Sequence, residues 1–347
     1  MTALLEVEDL HVHFESDRGT VRAVDGVSFS VDRGETLGIV GESGSGKTVA
    51  SEALTRLLRM PPGDIPSGSV RFEGRDLTAM SEAELRRVRG ADIAYVFQDP
   101  ETALNPVYSV GWQLREAIQL HSDVSNARAR ERAIELLDAV GIPDATARVG
   151  DYPHEFSGGM RQRAVVAMAL ASDPKLLVAD EPTTALDATV QAGILELLTD
   201  IQRERDMGVL LITHDLGVIA EVADRVAVLY AGKLMETADV YSLFDDPAHP
   251  YTRALFACLP GRGGSAAIEG TLPDPTDPPP GCRFAPRCRH AVEACHDGGQ
   301  PPMYDLPNGG AVSCVHYGPS GDPSVLDADP EGTPRRSTDA GAEGVDD

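Results

Sequence analysis

The sequence predicts an α/β fold: a phosphate-loop core with an antiparallel β subdomain, an inserted helical subdomain and a small cysteine-containing C-terminal extension. Three observations predict it. The first is Gly41-Glu42-Ser43-Gly44-Ser45-Gly46-Lys47-Thr48, an unbroken match to G-x-x-x-x-G-K-[ST] between an apolar run, Glu35 to Val40, and a helical stretch, Val49 to Met60. The second is a pair of later apolar runs that end in acids or histidine, Lys175 to Asp180-Glu181 and Gly208 to His214-Asp215. Unbroken apolar runs of that length are how parallel strands buried on both faces read. The third is a change of character along the chain. Residues 4–33 alternate, residues 101–172 carry helical periodicity, and residues 261–318 are rich in proline and cysteine. The domain boundaries that follow are 1–260 for the main domain, 261–318 for the extension and 319–347 for an acidic tail with scarcely any large apolar residues, expected to be disordered.

Composition narrows the function classes. The 347 residues hold 30 Lys and Arg against 55 Asp and Glu, a net charge of −25. Nonspecific nucleic-acid binding needs a basic surface and is disfavoured. Three Lys against 27 Arg, with so large an acidic surplus, resembles a protein kept soluble at high salt, the alternative being an ordinary acidic cytosolic protein. Met1-Thr2-Ala3-Leu4-Leu5-Glu6 lacks the basic and long apolar regions of a secretion signal. No apolar run approaches the ~20 residues that span a bilayer. A transport role would therefore need separate membrane chains.

The elements follow in order. Leu4-Leu5-Glu6-Val7-Glu8-Asp9-Leu10 and Val27-Ser28-Phe29-Ser30-Val31, punctuated by Gly19, Gly26 and Gly34, read as antiparallel strands and turns. Phe14 ends the first run, where its ring either joins the sheet core or offers a face to a nucleotide base. In the loop, the glycines let successive N–H groups turn inward at a helix N-terminus, making a concave anion site. Lys47 adds a point charge toward the β- and γ-phosphates, and the Thr48 hydroxyl is a Mg²⁺ ligand. Pro61 to Pro66 breaks the helix, and Ser69 to Gly74 reads as an edge strand. Ser81-Glu82-Ala83-Glu84 starts a helix with a capping box. Ile93 to Phe97 is an apolar strand ending at Gln98.

Asn105-Pro106 opens the helical block, with helices expected over Val110 to Leu120 and Asn126 to Val140. Ala133, Leu136, Leu137 and Val140 form the apolar face of the second helix, leaving Arg128, Arg130 and Arg132 to solvent. Phe156-Ser157-Gly158-Gly159-Met160-Arg161-Gln162-Arg163 opens another helix. Its free N–H groups are either a second anion site or an ordinary serine cap. Lys175 to Pro182 is a buried strand delivering two adjacent acids. In a phosphate-loop protein the first typically supports Mg²⁺ and the second orients the attacking water. Ala192 to Arg205 is helical. Gly208 to Thr213 is another buried strand, and it puts His214 at a carboxyl end, where ligands of such sheets bind. Strands follow at Arg225 to Tyr230 and Gly232 to Glu236.

Four of the five cysteines, Cys282, Cys288, Cys295 and Cys314, cluster as C-x5-C-x6-C-x18-C. In a cytosolic chain this favours metal over disulfides. The spacing differs from the paired C-x2-C of common zinc sites. A metal staple and plain reduced thiols both remain open, with His290, His296 and His316 as substitute ligands or surface residues. Cys258, outside the cluster, reads as a buried small side chain.

The ordered set of phosphate loop, Gln98, Ser157-Gly158-Gly159, Asp180-Glu181, Ala185-Leu186-Asp187 and His214 resembles the ATP-binding subunit of an ABC transporter over residues 4–260. The resemblance implies ATP and Mg²⁺ as ligands. Phe14 would stack on adenine, and Gly41, Glu42, Ser43, Gly44, Ser45, Gly46, Lys47 and Thr48 would cradle the phosphates. Asp180, with Thr48 and Gln98, would serve Mg²⁺. Glu181 would be the general base, Gln98 would touch the attacking water, and His214 would contact the γ-phosphate. Ser157, Gly158 and Gly159 would serve the nucleotide of an opposite subunit, with Asp187 at that interface.

Phe156 and Met160 depart from the broad signature. They resemble the subgroup serving oligopeptide and dipeptide importers, as do Tyr95-Val96-Phe97-Gln98-Asp99-Pro100, Leu104-Asn105-Pro106 and His249-Pro250-Tyr251-Thr252-Arg253-Ala254-Leu255. Some subunits of that subgroup hold a [4Fe–4S] cluster on four cysteines, which would make Cys282, Cys288, Cys295 and Cys314 its ligands. The subgroup implies ATP hydrolysis that powers peptide import from the cytoplasmic face of the membrane. It also implies two permease subunits, a second ATPase chain in a heterodimer and, indirectly, an extracellular substrate-binding protein. Nickel or an oligosaccharide is the alternative cargo. A soluble ABC ATPase outside transport is the alternative class, but the chain has neither a second ATPase half nor a long coiled-coil insertion.

Overall fold

The computed structural model describes residues 3–98, 100–184, 186–259 and 268–327. Two sheets organise it. In the first, strand Leu5–Ser16 pairs antiparallel with Gly19–Val31 on one side and Ser69–Phe72 on the other. Gly63–Asp64 pairs with its far end. Leu5, Val7, Leu10 and Val12 are all buried, although the count from Val7 to Leu10 is odd. A register shift between those two residues accommodates it, with Asp9 at φ 47°. Such a bulge lets one face stay apolar across a slip in the alternation.

The second sheet has eight strands in the order Tyr304–Asp305, Ala311–Val312, Lys233–Asp239, Arg225–Tyr230, Thr36–Val40, Gly208–Thr213, Leu176–Asp180 and Ile93–Val96. The last five pair in parallel. Every residue of Thr36–Val40, Leu176–Asp180 and Gly208–Thr213 is buried, which is why these segments read as unbroken apolar runs. The phosphate-loop strand sits centrally, between Arg225–Tyr230 and Gly208–Thr213.

The helical block lies within residues 100–169, with helices Val110–His121, Asn126–Ala139 and Gly158–Ala169. Ser109, Ser125 and Ser157 cap them, each side chain accepting a backbone N–H from three residues on. Leu114, Ile118, Ala133, Leu136, Leu137 and Val140 pack together. Arg128 pairs with Glu131 and Glu135, while Arg132 also crosses to Asp173.

Several expectations are corrected. The helix after the phosphate loop spans only Lys47–Ala53. Arg89 donates to the carbonyls of Thr55 and Arg56, and Arg56 turns to φ 51°, so the helix cannot continue. The extension, whose packing the sequence left open, rests on the main domain. Ala311–Val312 pairs with Lys233–Asp239, and Cys282, Phe284, Ala285 and Cys295 join the same apolar cluster as Tyr230 and Tyr251. The tail prediction fails at its start: Pro323–Leu326 forms a 3₁₀ turn, Leu326 is buried, and Arg253 donates to the Leu326 carbonyl and to Asp327. The rest of that tail, 328–347, lies outside the described residues, as does Ala185. Cys258, read as buried, is exposed, its Sγ 3.3 Å from the Ala254 carbonyl oxygen at the end of helix Pro250–Ala257. His316, read as a surface residue, is buried against the His290 carbonyl at 2.9 Å.

Candidate nucleotide site

The loop after Thr36–Val40 is shaped by what surrounds two of its glycines. A Cβ on Gly46, at φ +101°, would lie 2.3 Å from the Ala23 carbonyl oxygen. One on Gly41 would lie 2.0 Å from the Leu229 carbonyl oxygen. Backbone from both sheets thus presses on the loop and leaves room for glycine alone. Lys47 is buried, and its Nζ donates to the carbonyls of Gly41 (2.7 Å) and Glu42 (3.0 Å). Burial lowers its pKa, opposed by the carboxylates of Glu181, Asp180 and Glu42.

Two buried polar atoms here have no hydrogen-bond partner among the described residues: Ser45 Oγ and Asp180 Oδ1. Buried polar groups are nearly always satisfied, so orphans at one place mark a ligand's position. A serine hydroxyl and an ammonium suit phosphate oxygens, and an orphaned carboxylate oxygen suits a hard cation. Burial raises the Asp180 pKa, relieved by a hydrogen bond from Thr48. The residues present therefore fit a Mg²⁺-bound triphosphate.

Sheet order assembles the rest. Ile93–Val96, Leu176–Asp180 and Gly208–Thr213 are neighbours, and their carboxyl ends deliver Gln98, Asp180-Glu181 and His214 to one edge. Glu181 leaves the strand at φ 48°, its N–H donating to the Ile212 carbonyl at 2.8 Å. Its carboxylate has three partners. Gln98 Nε2 donates to Oε2 at 2.8 Å, the Thr184 hydroxyl donates to the same oxygen at 2.9 Å, and His214 Nδ1 lies 2.9 Å from Oε1. Burial alone would raise the Glu181 pKa, but the His214 and Thr184 hydrogen bonds and the His214 and Lys47 charges hold it below the usual range. An ionised carboxylate is thus held beside the phosphate loop.

The other predicted residues lie apart from this group. Ser157, Gly158 and Gly159 open the helix of the helical block, the first two exposed. Asp187 is exposed and caps helix Ala188–Arg205 through the Val190 N–H. Phe14 is half-buried, and a Cβ on Gly63 would lie 3.1 Å from its ring. The ring packs against the core of the first sheet and stays partly accessible. Glu42, expected only to line the loop, is held from the far end of the chain. Its N–H donates to the Tyr251 hydroxyl at 3.0 Å, and Arg287 donates to both its oxygens at 3.0 and 3.1 Å. Sequence reading missed Thr184, Tyr251 and Arg287. Only Thr184, three residues beyond Glu181, carried a local signal.

The four clustered cysteines converge. Cys282, Cys295 and Cys314 are buried and Cys288 half-buried. Burial pushes the Cys288 and Cys314 thiols up to about 12, and each is raised further by neighbouring cysteines of the cluster. No three of their sulfurs lie all within 4.8 Å of one another among the described residues.

Family models match in two places: the ABC transporter model over residues 24–184, and the C-terminal region of oligopeptide/dipeptide transporters over residues 235–295. The chain is 52% identical over 322 residues to the oligopeptide transport ATP-binding protein OppD of Bacillus subtilis, covering 91% of this chain and 88% of that protein. It is 47% identical to the dipeptide transport ATP-binding protein DppD of Escherichia coli, covering 91% and 97%. Among solved structures, the ADP- and phosphate-bound dimer of the ATP-binding cassette MJ0796 superposes with a TM-score of 0.61 at 25% identity, covering 68% of this chain and 98% of that one. The chain belongs to the ABC transporter family, as an ATP-binding subunit of the oligopeptide/dipeptide group.

Proposed function

We propose that this chain hydrolyses ATP to drive the import of di- or oligopeptides through membrane-spanning partners. The observation that carries the chemistry is Glu181, an ionised carboxylate fixed by Gln98, Thr184 and His214 beside the Lys47 loop. Lys47, the loop N–H groups and Ser45 bind the phosphates. Thr48 and Asp180, with Gln98, hold Mg²⁺, which when bound neutralises charge on the phosphate oxygens. Glu181 takes the proton of the attacking water, and Gln98 and His214 orient it. Phe14, half-buried, offers its ring to adenine.

Ser157, Gly158 and Asp187, exposed, and Gly159, half-buried, all apart from the Glu181 group, serve the nucleotide held by a second ATPase chain. Phe97, Val107 and Tyr108 are exposed apolar residues flanking the segment after Gln98. They support a docking surface for the permease subunits on the same connection that reaches Glu181. No helix among the described residues is long and apolar enough to cross a membrane, so attachment to the membrane runs through those partners. The test is uptake by vesicles holding the permease pair, both ATPase chains and the binding protein. Peptide accumulation coupled to ATP hydrolysis is expected; accumulation of nickel or an oligosaccharide instead would overturn the cargo assignment.

For the cysteine site the reading is a [4Fe–4S] cluster on Cys282, Cys288, Cys295 and Cys314. What supports this reading is the burial of Cys282, Cys295 and Cys314 beside a half-buried Cys288, in a spacing that lacks the paired C-x2-C of common zinc sites. Protein purified without oxygen is expected to absorb near ~400 nm and to carry about four irons and four sulfides per chain. Zinc instead, or no metal, would overturn this assignment.

A further inference from the structure

The phosphate loop contains one acid, and the extension neutralises it. Glu42 is the second residue of an anion-binding loop, where an uncompensated carboxylate would oppose the triphosphate. Arg287, whose side chain is only 5% exposed, donates to both Glu42 oxygens. The same guanidinium donates to the Tyr230 hydroxyl (3.2 Å) and to the carbonyls of Glu269 (2.8 Å) and Ile268 (2.9 Å). It is therefore fixed on every side rather than swinging in solvent. Tyr251 holds the Glu42 N–H from the same direction.

Arg287 sits in the turn between Cys282 and Cys288, and two other residues of that turn also grip the main domain. Arg283 pairs with Asp25, and Phe284 packs on Tyr230 and Tyr251 with ring centroids 5.3 Å apart in each case. We infer that Arg287 is a positioning residue for nucleotide binding: from within the cysteine-bearing extension it neutralises and orients Glu42, so that the phosphate loop presents an anion site. The extension thereby sets ATP affinity without touching the nucleotide.

The inference rests on residues 41–48 being the ATP site, and the experiment separates the two. Equilibrium titration of the full-length chain with a fluorescent ATP analogue and Mg²⁺ would be paired with steady-state hydrolysis. Arg287→Gln keeps one amide donor, near the Nε position that serves the Glu269 carbonyl, and removes the charge. It is expected to weaken binding about tenfold and raise KM in proportion, with kcat changed less than about twofold. Arg287→Lys, which keeps the charge, should lose no more than about threefold. Adding Glu42→Gln to Arg287→Gln should restore affinity, because the unpaired acid is gone. A merely structural role would not be rescued by a change in the loop. Equal losses in Arg287→Gln and Arg287→Lys, or no rescue by Glu42→Gln, would overturn the proposal. If Arg287→Gln fails to fold, Tyr251→Phe removes the second tie to Glu42, and unchanged affinity in that variant would count against the proposal. Lys47→Ala is the control: retained binding there would sink the site reading itself.

Discussion

Glu181→Gln is expected to bind ATP as the wild type does while kcat falls about 10³-fold, the loss typical when a general base is removed. The substitution is close to isosteric and its geometry is already provided for. With the amide oxygen at the Oε2 position, the donors of Gln98 and Thr184 keep their acceptor. The amide nitrogen then faces His214 Nδ1, which accepts in one tautomer. What is lost is basicity alone. Among the described residues Glu181 forms no hydrogen bond with Lys47 or the loop backbone, Lys47 donating instead to the Gly41 and Glu42 carbonyls, so binding and chemistry separate. Single-turnover hydrolysis alongside nucleotide titration measures both quantities. With the partner ATPase chain present, the ATP-bound assembly should persist. Near-wild-type turnover would remove Glu181 as the base and leave the three-partner arrangement without a catalytic account.

Why that site was legible and others were not follows from where the residues lie. Gln98, Asp180, Glu181 and His214 stand at carboxyl ends of strands buried on both faces, and such strands announce themselves as unbroken apolar runs. The loop residues are contiguous, and each answers a need of a phosphate ligand. Phe14 was ambiguous because an aromatic ending a strand satisfies both a sheet and a base, and its half-buried ring leaves room for both. Arg287 was illegible for a plainer reason. Its partner is 245 residues away, and no local pattern encodes a contact across that distance. The helix after the loop was overextended because Arg89, from another element, takes the carbonyls of Thr55 and Arg56. How the extension packs was not legible, because proline-rich sequence lacks periodicity. Its apolar residues are few, but Phe284, Cys282 and Cys295 all face the main core.

Phe284→Ala therefore carries the second large effect, expected to cost roughly 3–5 kcal/mol, the usual range for truncating a buried phenylalanine. Phe284 is 2% exposed and packs edge-on against Tyr230, tilted against Tyr251, and 6.0 Å from the ring of His249. Tyr230 ends a strand beside the phosphate-loop strand, and Tyr251 holds Glu42, so the ring lies at the junction between extension and nucleotide site. His249 belongs to the same junction. Burial pushes its pKa down to about 3, leaving a neutral ring whose Nδ1 accepts the Tyr251 N–H at 2.9 Å. The chain's single tryptophan, Trp112, lies in the helical block and stacks on Tyr108 with centroids 4.1 Å apart. Its fluorescence reports on a region that Phe284 does not touch. If extension and main domain form one cooperative fold, urea unfolding followed by Trp112 and by far-ultraviolet circular dichroism should shift together to lower midpoints in Phe284→Ala. An unmoved Trp112 transition, with a separate early loss of structure, would mean that the extension unfolds alone. In that case Arg287 could be released from Glu42 while the main domain stays folded, and ATP affinity would fall before the helical block is lost.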